Sequence, residues 1–333
     1  MSDEYEEDSY GLYAENWVEQ LEIYVGVDLG PTATEAGEPG GAWGEPRRTL
    51  FQYNWARNGA NSNTLLSAGQ HTGVSSVAAS DGVEYGVLFI GANDFFPSSA
   101  AYQGIYNGTW TQLQIDSHVA GVLTNINTVL DEMQSAGLPM VILNVPDYGI
   151  APAVAALLPN AAGRQLVTDV IDGLNASIDA EAQARGMVVV DIGAGLVSIF
   201  GTHASPITSL LVGNVAIDLT ASDTAGGANP TAGFVHDGVH PNTVLQGIVA
   251  NTVMEALNIG FGVGLTLFSE AEILDHRGIA YGGSDTLYAT YGDYSDYITA
   301  YPPVDIVVPG LGGIASLVLS ALLAGAGTRA VHR

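Results

Sequence analysis

Residues 85–95 read Tyr-Gly-Val-Leu-Phe-Ile-Gly-Ala-Asn-Asp-Phe. From Tyr85 to Gly91 the run is short and continuously apolar, the pattern of a strand buried on both faces. Gly91 lets the backbone turn tightly, and the turn presents an uncharged amide at Asn93. Downstream the same grammar repeats. Val119, Val122, Leu123, Ile126, Val129, Leu130 and Met133 share one helical stripe between His118 and Gly137, and Gly137-Leu-Pro139 ends it. Pro139 to Val145 (PMVILNV) reads as a second buried strand. Leu166, Val167, Val170, Ile171, Leu174 and Ile178 mark a second helix closed by Gly186, and Met187 to Ile192 a third strand. Asn242 to Leu257 reads as a last long helix, with Asn242 as its N-cap. Strand and helix in alternation predict βαβ units, hence a three-layer α/β/α fold with a mostly parallel sheet. In such sheets, sites collect in loops at the carboxyl ends of the strands.

Composition narrows the function classes. The chain has 333 residues, 8 basic and 35 acidic side chains, a formal charge of -27 and no cysteine. That length can bury a full core, and 47% hydrophobic against 13% charged content is that of a folding chain. Nucleic acid is excluded as a partner, because phosphate binding needs a basic stripe and the eight arginines are scattered. The lack of cysteine removes disulfides, thiolate zinc sites and thiol nucleophiles together.

The ends differ from the middle. Residues 1–11 (MSDEYEEDSYG) have neither the basic nor the apolar region of a secretory signal. Residues 263–306 are acidic and dense in tyrosine, and read as an appendage to a main domain spanning 1–262. In it, Ser269 and Glu272 have the spacing of a capped helix start. Residues 307–327 (VVPGLGGIASLVLSALLAGAG) carry no charge and precede Arg329, His332 and Arg333. This tail resembles the PEP-CTERM sorting tails of bacterial exported proteins, although no second proline follows Pro309. The resemblance implies an exported or cell-surface protein with membrane contact through 307–333.

Three stretches fall where strand-end loops are expected. After a strand expected at Leu50 to Tyr53 comes Asn54-Trp-Ala-Arg-Asn-Gly59-Ala60-Asn-Ser62, in which Gly59 offers a backbone N–H that no side chain blocks. The second is Gly91-Ala-Asn93-Asp94, whose Asn93 amide could stabilise the oxyanion of acyl transfer. The third is His236-Asp-Gly-Val-His240-Pro-Asn242. Gly238 and Pro241 disfavour a continuous helix there, so the Asp237 carboxylate can curl back onto one His240 nitrogen and leave the other as a general base. His236, Asp237 and His240 also have the chemistry of metal ligands, but no further Asp/His cluster accompanies them and no cofactor is implied.

In this order, the blocks resemble the SGNH (GDSL-type) serine hydrolases over about residues 2 to 260. The resemblance implies a flavodoxin-like topology and hydrolysis of carboxylic esters, with short acyl groups favoured over long lipids. It makes His240 the general base and then acid, Asp237 its orienting partner, and Gly59 and Asn93 the oxyanion donors. The substrate would be a small-molecule, carbohydrate or lipid ester. The family's Gly-Asp-Ser block is absent, and Met1-Ser2-Asp3 matches only the positions just after that block. The expectation is a nucleophilic serine just upstream of Met1, with Ser2 a poor substitute. The alternative is a non-catalytic SGNH-like surface or binding protein.

Overall fold

The structure, a computed structural model, describes residues 13–44 and 50–302. Met1, Ser2 and the apolar segment 307–333 lie outside the described residues. In chain order the elements that position the site are α1 (Ser62–Ser67), α2 (Gln70–Asp81), β1 (Gly86–Phe89), α3 (Gln112–Ser135), β2 (Met140–Leu143), α4 (Ala161–Arg185) and β3 (Val188–Val190). They continue with β4 (Ser209–Val212), β5 (Val215–Ser222), β6 (Ala232–Phe234), α5 (Thr243–Phe261) and β7 (Ile298–Ala300).

The central sheet has the order β1-β2-β3-β7. β1, β2 and β3 are parallel, with Gly86 opposite Met140 and Val141 opposite Val188, while β7 pairs antiparallel with β3. The two crossovers are α3 and α4, which pack on each other and, with α1 and α2, cover one face. α5 lies across β2, β3 and β7 from the other side, giving three layers. α3 starts on a reciprocal capping box between Thr111 and Gln114 and buries Val122, Ile126, Val129, Leu130 and Met133. Each such side chain contributes about 1.5–3 kcal/mol on burial, several times any difference in helix propensity, so packing decides this helix. α4 ends where Gly186 takes the left-handed conformation at φ 67. α5 has the length and apolar content to cross a membrane, but most of it is buried among the layers as the core helix.

All residues of β2 and β3 are buried, whereas Val87 and Phe89 of β1 are only half-buried. Among the described residues β1 pairs on one side only. The strand expected at Leu50–Tyr53 is reduced to a single bridge between Phe51 and Thr32, since Leu50 turns the chain at φ 56. The segment after residue 262 is woven into the fold. It supplies β7 and a helix, Glu270–Asp275, that starts on the Ser269–Glu272 capping box and packs on α5. Of its tyrosines, Tyr281 and Tyr288 are exposed, Tyr291 is buried, and Tyr301 donates to the Asp179 carboxylate at 2.7 Å.

Candidate active site

The loops after β1 and β2 and the loop before α5 form the site. β1 runs into Gly91, whose φ of 111 few other residues adopt, and a methyl there would lie 2.5 Å from Val145 Cγ2. The turn Ala92–Phe95 follows, and two of its side chains clasp the Gly59 loop. Asn93 Nδ2 donates to the Ala60 carbonyl at 3.0 Å. The Asp94 carboxylate accepts from Ser62 N and Ser62 Oγ, both at 2.8 Å. Burial pushes the Asp94 carboxyl up, against the lowering effect of those Ser62 bonds. Gly59 takes a φ of +67, and an added methyl would meet nothing within 4 Å, so the space above it is open.

The third stretch folds as the residue types demand. Asp237 Oδ1 accepts from Val239 N at 2.7 Å and His240 N at 3.0 Å, an Asx turn that brings Oδ2 to 2.5 Å from His240 Nδ1. Burial pushes the Asp237 carboxyl up, but the His240 ring and the two backbone N–H groups overcome this and hold it below its usual value. An ionised carboxylate can only accept, so Nδ1 carries the ring proton and Nε2 is the basic nitrogen. His236 turns away from the pair, and its Nδ1 lies 2.8 Å from the Tyr13 hydroxyl. Among the described residues no group of three or more His, Asp or Glu could hold a metal. Below the loop, Asn242 is fully buried, caps α5 through Thr243 N and donates to the Ala232 carbonyl at 3.2 Å. Arg277 holds the adjacent buried Asp223 at 2.6 Å, so the segment after residue 262 braces this loop.

Thus the loop carrying Gly59 meets Asn93 through Ala60, and Asp237 meets His240. What joins the two pairs is the loop after β2. Ala153 N donates to the Gly238 carbonyl at 3.2 Å, and the Tyr148 hydroxyl donates to Asn93 Oδ1 at 3.0 Å. Tyr148 was not legible in the sequence: its only signal is its place in Pro146-Asp-Tyr-Gly149, directly after a buried strand. Its bond fixes which end of the Asn93 amide is the donor. Tyr148→Phe is expected to lower kcat about 3- to 10-fold with KM unchanged, and to have no further effect once Asn93 is alanine. Should the Asn93 amide serve as an oxyanion donor, Asn93→Ala alone is expected to cost about 100- to 1,000-fold in kcat, read by ester turnover.

A mostly parallel, three-layer sheet with these loops at its carboxyl edge defines an α/β protein of the hydrolase-like type. The chain belongs to the GDSL-like lipase/acylhydrolase family, whose model matches residues 8–253. Members of this family typically act on small-molecule esters. No curated protein matches the chain.

Proposed function

We propose that the protein hydrolyses carboxylic esters through an acyl-enzyme, with His240 as general base and acid and Asp237 as its orienting partner. The observation that carries this reading is the 2.5 Å approach of Asp237 Oδ2 to His240 Nδ1. His240 Nε2 takes the proton of a serine hydroxyl as its oxygen bonds to the ester carbonyl carbon. The carbonyl oxygen becomes an oxyanion, and the Gly59 N–H and the Asn93 amide donate to it. Collapse breaks the bond to the alcohol oxygen, which leaves with the proton from His240. Water then repeats the sequence on the acyl-serine and releases the acid.

The serine is assigned to the segment that leads into Tyr13. Tyr13, the first described residue, is bonded to His236, which neighbours Asp237 in the chain. The side of β1 that pairs with no strand among the described residues suits a parallel strand whose carboxyl end would lie beside the Gly91–Asp94 turn. Residues 1–12 (MSDEYEEDSYGL) hold no apolar run fit for a buried strand, which makes Ser2 a poor nucleophile. Turnover of p-nitrophenyl acetate tests this. The 333-residue chain should be nearly inactive, and an in-frame upstream extension carrying Gly-Asp-Ser should restore activity with no effect of chelator. Robust turnover by the unextended chain would point to a serine within it, a chelator-sensitive rate to a metal, and no turnover by either chain to a binding protein.

A further inference from the structure

The loop that carries Asp237 and His240 spans residues 235–242, and both of its ends are held from outside. Within it, Val235 N donates to the His240 carbonyl at 2.9 Å, so the backbone of His240 follows that of Val235. The Val235 side chain is fully buried and forms a small apolar cluster with Ala14 and the Tyr13 ring, separate from the main core. Tyr13 grips the next residue as well. His236 N donates to its hydroxyl at 3.2 Å, and that hydroxyl lies 2.8 Å from His236 Nδ1. At the far end, Asn242 N donates to the Gly233 carbonyl at 2.8 Å and Asn242 Nδ2 to Asp223 Oδ2 at 3.4 Å. The two grips meet in Arg277. Its Nη2 donates to Asp223 Oδ2 at 2.6 Å and to the Gly227 carbonyl at 2.9 Å, and its guanidinium carbon lies 5.7 Å from the centre of the Tyr13 ring, in reach of a cation–π attraction. The Asp223 side chain is 0% exposed and that of Arg277 11%, so solvent screens this ion pair little. The packing is close. Gly227 has a φ of +69, and a methyl there would lie 2.6 Å from Tyr13 Cβ and 3.2 Å from Arg277 Nη2.

We propose that Tyr13 and Arg277 are positioning residues for the Asp237–His240 pair: Tyr13 holds the start of its loop, and Arg277 ties that grip to Asp223 at the loop's end. Both act through the loop that carries the pair. Its placement matters because Asp237 Oδ2 and His240 Nδ1 are 2.5 Å apart, and a shift of about 1 Å would stretch their bond beyond useful length. The consequence for rate rests on the hydrolase reading, whereas the consequence for the pair itself does not.

The Nδ1 proton of His240 reports on the pair in the 333-residue protein without turnover. By proton NMR at low temperature it is expected as a far-downfield imidazole resonance that disappears in His240→Gln, and its exchange with water measures how often the Asp237 bond opens. Tyr13→Phe, which removes only the hydroxyl, and Arg277→Met should each speed that exchange roughly 5- to 10-fold. Arg277→Lys keeps a cation opposite Asp223 and should fall between Arg277→Met and wild type. Because Arg277→Met leaves Asp223 buried without its cation, Tyr13→Phe carries the test if that variant does not fold. Tyr301→Phe, which loses a bond to Asp179 on α4 instead, controls for a general loss of stability and should leave the exchange unchanged. In the catalytically complete chain, Tyr13→Phe should lower kcat roughly 5- to 10-fold with KM unchanged, and should add nothing once His240 is alanine. The proposal is overturned if the resonance is missing from wild type, if Tyr13→Phe leaves its exchange at the wild-type rate, or if Tyr301→Phe speeds it equally. Faster exchange in Tyr13→Phe, in a protein that hydrolyses no ester even when extended, would keep the positioning role and remove the hydrolase reading. Unchanged exchange in an active ester hydrolase would do the reverse.

Discussion

Replacing His240 by alanine in the catalytically complete protein is expected to lower kcat on an activated acetyl ester by about 10⁴- to 10⁶-fold, with KM changed little. The reason lies in the order of proton transfers. A serine hydroxyl at neutral pH is a weak nucleophile, and in the proposed mechanism the His240 imidazole both accepts its proton and returns it to the leaving alcohol. In that mechanism ground-state binding of the ester falls to the loops at Gly59 and Asn93, which the substitution does not touch. A variant that kept more than about a tenth of wild-type kcat would remove His240 from the reaction. Circular dichroism of the same preparation should match wild type, because the loop before α5 is also held by Asn242 and Asp223.

Asp237→Asn is expected to cost about 10⁴-fold in kcat while leaving the backbone of the loop in place. The Asn carbonyl can still accept from Val239 N and His240 N, so the Asx turn survives. What is lost is an acceptor for the His240 Nδ1 proton, and the ring then favours the tautomer with its basic nitrogen on the wrong side. The same pair predicts a pH dependence of stability. The Asp237 carboxyl is held below its usual value in the folded protein. Its stabilising contribution is therefore present above its unfolded value and is lost as pH falls through the folded one. Urea unfolding between neutral pH and the lower carboxylate range should show wild type losing more stability on acidification than Asp237→Asn. Equal slopes would mean that the carboxylate is not stabilised by its partner.

Much of the fold was legible because parallel core strands must be apolar on both faces. Met140–Leu143 and Val188–Val190 are fully buried, and the runs that announced them are continuous. The stops were equally clear, since Gly137 and Gly186 both have positive φ. The β4–β5 hairpin went unread although its signal was present. Leu210, Val212, Ile217 and Leu219 alternate inward around the turn Gly213-Asn214, and only a search for period two would find them. β7 left no such trace: three residues at a sheet edge are too short for periodicity, and their place is set by pairing with Val188–Val190. In the candidate site, Asp237 and His240 could be paired from spacing because three residues and a glycine allow one local turn. Tyr148 could not, because its meeting with Asn93 joins two strand-end loops that only the sheet brings together.

The most direct measurement is labelling with a fluorophosphonate, followed by mass mapping of the modified peptide, in the chain with and without an in-frame upstream extension carrying Gly-Asp-Ser. The expected result is one adduct, on a serine that precedes Tyr13, formed in the extended chain and lost in His240→Ala. An adduct on a serine elsewhere in the fold, or one that forms as fast without His240, would contradict the assignment of Asp237–His240 as the base of an acyl-enzyme mechanism.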